Sequence, residues 1–174
     1  MKAPELQVSQ WFNTQKNLKL ADFIGKVLVI EAFQMLCPGC VMHGLPLAQK
    51  VQRAFPKEKV AVLGLHTVFE HHEAMKPVSL EAFLHEYRIT FPVGVDVEGV
   101  GSMPKTMETY QLRGTPSMLL FDKKGALRAN HFGDVSELLL GAEIAMLLGE
   151  MPDDAVIPDT DTTAGAVCTP EGCN

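Results

Sequence analysis

Two cysteines three positions apart, Cys37 and Cys40, offer the clearest chemistry in this chain. A Cys-x-x-Cys pair is able to cycle between dithiol and disulfide, or to supply half the ligands of a tetrahedral zinc site. What surrounds it decides between these uses. Cys37-Pro38-Gly39-Cys40 follows an apolar, β-branched run (Lys26 to Phe33) directly and opens a segment of helical character. That context reads as a redox dithiol. Cys37 would stand at a helix N-terminus, where unpaired N–H groups and the helix dipole favour a thiolate, so it is expected to be the nucleophile. Pro38 suits the first helical position because its missing N–H costs nothing there. Cys40, one turn inside, would be less accessible and would resolve a mixed disulfide. Glu31 sits six residues before Cys37 inside the apolar run; a carboxylate there costs free energy unless it has a partner or a task.

The elements that must position these groups alternate along the chain. Residues 5–14 read as a short strand or ordered lead-in ending in a turn near Asn13. Lys26 to Phe33 and Val60 to His66 read as buried strands. Between them, Cys37 to about Phe55 predicts a helix interrupted by Gly44 and Pro46, with a kink expected. Leu80, Phe83, Leu84 and Tyr87 have helical spacing, with Ser79 as the expected N-cap. Phe91 to Val95 predicts a strand and Pro104 to Tyr110 a short helix. Ser117 to Phe121 and Leu127 to Phe132 form a predicted hairpin about the turn Asp122 to Gly125. Asp134-Val-Ser-Glu137 fits a capping box before a last helix bearing Leu140, Ile144 and Leu147, stopped by Gly149. The fold class implied is α/β, a mixed sheet covered on both faces.

Strand, Cys-x-x-Cys, helix, and later Gly114-Thr115-Pro116-Ser117 before a strand resemble the thioredoxin fold over roughly residues 17–149. The lead-in Leu18 to Lys26, an N-terminal extension, and the inserted segment between Val60 and Phe91 resemble the TlpA/ResA-type redoxins. The resemblance implies a thiol–disulfide oxidoreductase with Cys37 and Cys40 catalytic, with Glu31 as proton acceptor for Cys40. It also implies that Pro116 is a cis-proline against the cysteines, with Thr115 offering backbone groups to a bound thiol or peptide. Three positions depart from the family. Leu36 stands where an aromatic is usual. The inner dipeptide is Pro38-Gly39. Pro46 falls one residue later than its usual offset from the second cysteine, which predicts a bulge near Gly44.

A second pair, Cys168 and Cys173, lies in a different kind of sequence. From Glu150 onward there are six acids and no Lys or Arg, in a run of Pro, Asp, Thr, Gly and Ala without periodicity. The expected organisation is a redoxin domain over residues 1–149 and a flexible acidic tail over 150–174. The tail pair is either incidental or an auxiliary redox pair exchanging with Cys37 and Cys40. A zinc site built from both pairs would need ligands more than a hundred residues apart. His43 reads as a surface or packing histidine. His66, His71, His72 and Glu73 suggest a metal site, but the stretch from Thr67 to Val78 reads as irregular and solvated, so no metal is expected.

The chain has 174 residues, 47% hydrophobic and 21% charged, enough to bury a core without staples. Removing the six tail acids from 21 leaves 15, matched by 15 Lys and Arg, so the body is neutral and the net charge of -6 belongs to the tail. A neutral body without a basic run excludes nucleic acid and anionic membrane surfaces as expected partners. No run approaches 18 apolar residues, and no apolar leader is visible, so a cytoplasmic location is expected. No cofactor is expected. The partners would be a disulfide-bearing protein or small thiol and an electron donor. Two other functions fit the residues less well. A thiol peroxidase of peroxiredoxin type would want Pro-x-x-x-Thr-x-x-Cys, but Ile30 and Gln34 stand at the Pro and Thr positions. A non-catalytic metal- or thiol-binding module would use the cysteines only to hold a ligand.

Overall fold

The computed structural model describes residues 3–101 and 103–150, and the backbone of 168–169 and 172–173. Six strands form one mixed sheet: β1 (Val8–Phe12), β2 (Val27–Phe33), β3 (Val60–His66), β4 (Val93–Asp96), β5 (Ser117–Phe121) and β6 (Leu127–Phe132), in spatial order β1-β4-β3-β2-β5-β6. β2 runs parallel to β3, and β3 to β4; β1, β5 and β6 pair antiparallel with their neighbours. The hydrophobic runs read as buried strands are the two central ones, β2 and β3, which is why they lack polar alternation.

Alternation along β2 sorts the core into two halves. Val27, Val29 and Phe33 face a cluster closed by α1 (Leu45–Ala54), α2 (Pro77–Glu86) and α4 (Glu137–Gly149) through Leu45, Ala48, Leu80, Leu84, Leu140 and Ile144. Leu28, Ile30 and Ala32 face the other half. It is closed by residues on and just after α3 (Lys105–Thr109), including Met107, Tyr110 and Leu112, and by the single 3₁₀ turn Leu20–Phe23. Glu31 has the parity of Val29 and Phe33, so its carboxyl projects toward α1.

Two helix starts differ from their expected places. Ser79 lies inside α2, which opens instead at Pro77 after an extended Lys76; the fixed φ of proline pre-forms the first turn. At α4 the cap is Ser136, whose hydroxyl accepts from the Leu139 N–H, rather than Asp134. Asp134 is drawn outward, with Oδ1 3.8 Å from His43 Nδ1. Cys168–Thr169 and Gly172–Cys173 form a two-stranded ladder, β7 and β8, with Cys168 opposite Cys173. The remainder of the tail expected over 150–174, from residue 151 onward, lies outside the described residues.

Candidate active site

The two thiols sit where β2 ends and the helix begins. Cys37 is partly exposed and Cys40 is buried; both are free thiols. The Cys40 N–H donates to Cys37 Sγ at 3.3 Å, so the backbone at the start of the helix points a partial positive charge at the outer sulfur. Cys37 donates its S–H to the Thr115 carbonyl at 3.5 Å. Its own N–H is held by the Gln34 carbonyl at 3.1 Å, which fixes the bend between strand and helix. Burial and the hydrogen bond with Cys37 push the Cys40 thiol strongly up, so Cys40 stays protonated at neutral pH. One sulfur is therefore open to a substrate and the other is kept as a thiol behind it.

Thr115 and Pro116 approach from the loop before β5, and their peptide bond is cis. A Cβ at Gly39 would lie 3.2 Å from Pro116 Cδ, so the prolyl ring rests on the bare backbone between the cysteines. Around this opening Leu36, Met42 and Phe132 are exposed. The Arg113 guanidinium stands 5.0 Å over the Phe132 ring. An apolar rim next to a partly exposed sulfur suits a peptide more than a small charged solute.

Glu31 lies beneath the thiols with no solvent exposure, and neither carboxyl oxygen has a hydrogen-bond partner. Burial, with a smaller contribution from Cys37, raises its pKa well above the usual carboxylate range. The helix after Cys40 is not uniform. Cys40–Gly44 is a π-turn, closed by a hydrogen bond from the Leu45 N–H to the Cys40 carbonyl. This turn absorbs the extra residue that delays Pro46, and Pro46 then falls in the first turn of α1.

Two supporting residues gave no clear signal in the sequence. Gln34, fully buried, accepts from the Phe69 N–H at 3.1 Å and donates to Glu70 at 3.3 Å, tying the active-site bend to the segment after β3. His66 is turned inward rather than solvated with its neighbours. Its Nε2 accepts from the Met35 N–H at 3.4 Å while Nδ1 has no partner, and burial lowers its pKa to about 4. His71 and His72 are exposed. Among the described residues no group of three or more His, Cys, Asp or Glu is arranged to hold a metal. Among them, too, no helix is long and apolar enough to cross a membrane.

The model of the AhpC/TSA family matches residues 1–130. A solved thioredoxin-like superfamily protein, SPOA0173, is 77% identical, with 87% of this chain and 98% of that chain covered and a TM-score of 0.85. A solved thiol-disulfide isomerase from Corynebacterium glutamicum is 47% identical, covering 86% of this chain and 97% of its own, with a TM-score of 0.82. The thioredoxin-like protein YneN of Bacillus subtilis is 25% identical over 119 residues, 68% of this chain. The match spans 63% of the length of that curated relative.

Proposed function

The chain belongs to the AhpC/TSA family and has a thioredoxin-like fold, and from that premise we propose that it is a thiol–disulfide oxidoreductase acting on proteins through Cys37 and Cys40. The observation that carries this reading is the pairing itself. A partly exposed sulfur accepts the N–H of the residue that carries the buried one, and the opening lies beside Thr115 and Pro116. Cys37 thiolate attacks one sulfur of the substrate disulfide, forming a mixed disulfide and releasing the other sulfur as a thiolate, which takes a proton from water. Cys40 passes its proton to the Glu31 carboxylate and attacks Cys37 Sγ. The second substrate sulfur leaves as a thiolate that takes the proton back from Glu31, and the enzyme holds a Cys37–Cys40 disulfide. Two electrons have moved from enzyme to substrate, and a dithiol donor restores them.

Glu31 suits the relay because its raised pKa brings it closer to a thiol's than an ordinary carboxylate's would be. Thr115 would pair its backbone with the substrate chain, as strand edges do. The exposed Leu36, Met42 and Phe132 favour a protein disulfide over a small thiol. In a reducing cytoplasm the net direction is reduction of substrate. Cys168 and Cys173, whose backbones stand opposite each other in the β7–β8 ladder, would act as an auxiliary redox pair that exchanges with Cys37 and Cys40.

Turnover of a disulfide-bonded protein substrate, read by thiol release, tests the reading. Cys37→Ser is expected to fall to background, and Cys40→Ser to stop at a trapped mixed disulfide on Cys37. Full turnover in Cys37→Ser would overturn the assignment. Peroxide consumption that survives Cys40→Ser would make the chain a thiol peroxidase. One zinc or copper retained per chain with no exchange activity would make it a binding module.

A further inference from the structure

Gly44 is the residue in the active-site helix whose side chain has no room. A Cβ built on it would overlap Glu31 Oε1, lie 2.8 Å from the Glu31 carboxyl carbon and come within 3.0 Å of Pro116 Cβ. Gly39, five positions earlier, meets Pro116 from its other side. In an α-helix residues five apart point in different directions, but a π-turn brings them nearly over one another. The bond from Leu45 N–H to the Cys40 carbonyl closes that wider turn. The consequence is a bare strip of backbone from Gly39 to Gly44, with Pro116 lying along it and the Glu31 carboxyl at its lower end.

The backbone of Glu31 cannot retreat. It lies in β2, paired on one side with Gly64 of β3 and on the other with Met118 of β5. The side chain has no solvent exposure, and both oxygens lack a hydrogen-bond partner. The place of the carboxyl is therefore fixed by what lies opposite its tip. Of the titratable groups, Cys37 at the bend acts on it electrostatically, and Cys40 opens the π-turn that ends at Gly44. His43 of the same turn stands by Asp134 at the surface, and His66 at the end of β3 lies against Phe33 and the Met35 N–H.

We propose that Gly44 is a positioning residue for Glu31: the π-turn and its glycine hold the carboxyl beneath the thiols, and so set the pH at which Cys40 resolves a mixed disulfide. This rests on the relay reading of Glu31. It also accounts for the late Pro46, because the additional helix residue is what makes the wide turn. The atom in the way of a Gly44 side chain is the end of a flexible side chain, not backbone. Alanine is also the better helix former. Gly44→Ala is accordingly expected to fold while moving the carboxyl.

The experiment is single-turnover resolution of a pre-formed mixed disulfide between Cys37 and a model thiol, followed from pH 5 to 10. It uses the full chain as wild type, Glu31→Gln, Gly44→Ala, Glu31→Ala and Glu31→Ala/Gly44→Ala. Glu31→Gln is expected to slow resolution at pH 7 by about a hundredfold, the low end for a lost acid–base group, and to move the profile to higher pH. Gly44→Ala is expected to reproduce that displaced profile. In the Glu31→Ala background, where the overlap with the carboxyl is gone and only the 3.0 Å approach to Pro116 Cβ remains, it is expected to change the rate less than twofold. Glu31→Asp/Gly44→Ala, with a carboxyl one methylene shorter, is expected to regain part of the rate lost in Gly44→Ala.

If Glu31→Gln keeps the wild-type profile, the relay reading itself fails. If Glu31→Gln is slow but Gly44→Ala is not, the positioning role is overturned while the relay stands. The same holds if Gly44→Ala slows resolution equally with and without Glu31. Should Gly44→Ala not fold, the double variant with Glu31→Ala decides: folding there supports the overlap, and failure there overturns it.

Discussion

Two buried titratable groups with opposite responses to pH lie near the thiols. Glu31 has a raised pKa from burial, so native protein keeps a proton that the unfolded chain releases above its ordinary 4.5. Its contribution to stability is intact below pH 4.5 and declines as pH rises toward the folded pKa, by up to about 1.4 kcal/mol per pH unit. His66, lowered to about 4 by burial, works the other way. Between pH 4 and 6.5 the unfolded chain binds the proton that the native one refuses, so stability rises with pH across that window. The two slopes oppose one another below pH 6.5, and above it Glu31 acts without that offset. Glu31→Gln, which keeps the shape without the charge, is expected to match wild type near pH 4.5. It should exceed wild type by 1 kcal/mol or more, roughly, at pH 8. Urea unfolding of the reduced proteins at the two pH values measures this. Parallel curves would mean that Glu31 is not a destabilised buried acid.

The short helix α3 shows how an element too weak to form by itself is held in place. Five residues cannot sustain a helix on propensity. Asp96 at the end of β4 supplies the missing support. Its Oδ1 accepts the Thr106 N–H at 2.8 Å, and its Oδ2 accepts the Met107 N–H at 3.0 Å and the Thr67 hydroxyl at 3.0 Å. One buried carboxylate thus joins the end of a strand, the start of a helix and the loop after β3. Asp96→Ala leaves these donors buried without an acceptor and is expected to cost about 2–3 kcal/mol. Loss of less than about 0.5 kcal/mol in chemical denaturation would show that water replaces it.

That arrangement also marks where reading the sequence stops. The central strands announced themselves because a strand covered on both faces must be apolar throughout, and Glu31 stood out as the exception. The π-turn was legible as a misplaced Pro46 and a glycine in a helix. Ser79 misled because a proline two residues earlier takes the helix start. Gln34 and His66 gave no clear signal: each is an ordinary polar residue at a strand end, and only the return of the chain after β3 gives it a partner.

The disposition of α4 separates the ends of the protein. Lys50 of α1 pairs with Glu137 in the first turn of α4. At the far end the β5–β6 turn grips the helix terminus: Lys123 Nζ donates to the Leu148 carbonyl at 3.1 Å, and Arg128 bridges Asp122 and Glu150 at 3.2 and 2.6 Å. The described core, from Leu20 to Leu147, and the groups that touch Cys37 and Cys40 all precede Glu150. α4 itself runs about 20 Å, the rise of its 13 residues, before the chain passes Glu150. The 18 residues to Cys168 span up to about 60 Å when extended, so the tail pair is within reach of the thiols.

Reach bears on rate rather than on equilibrium. Two couples that exchange electrons keep their own potentials unless one alters the surroundings of the other. Among the described residues, the groups that surround Cys37 and Cys40 run from Glu31 to Phe132, all before the tail. Residues 1–150 are thus expected to titrate against glutathione with the same Cys37–Cys40 potential as the full chain, near the roughly -270 mV of thioredoxin-type reductants. The full chain is expected to show a second disulfide, Cys168–Cys173, by peptide mapping. A displacement of more than about 30 mV on truncation, a tenfold change in equilibrium constant, would mean that the tail rests on the site and tunes it. A potential near about -120 mV would reverse the direction of electron flow and make the protein an oxidant.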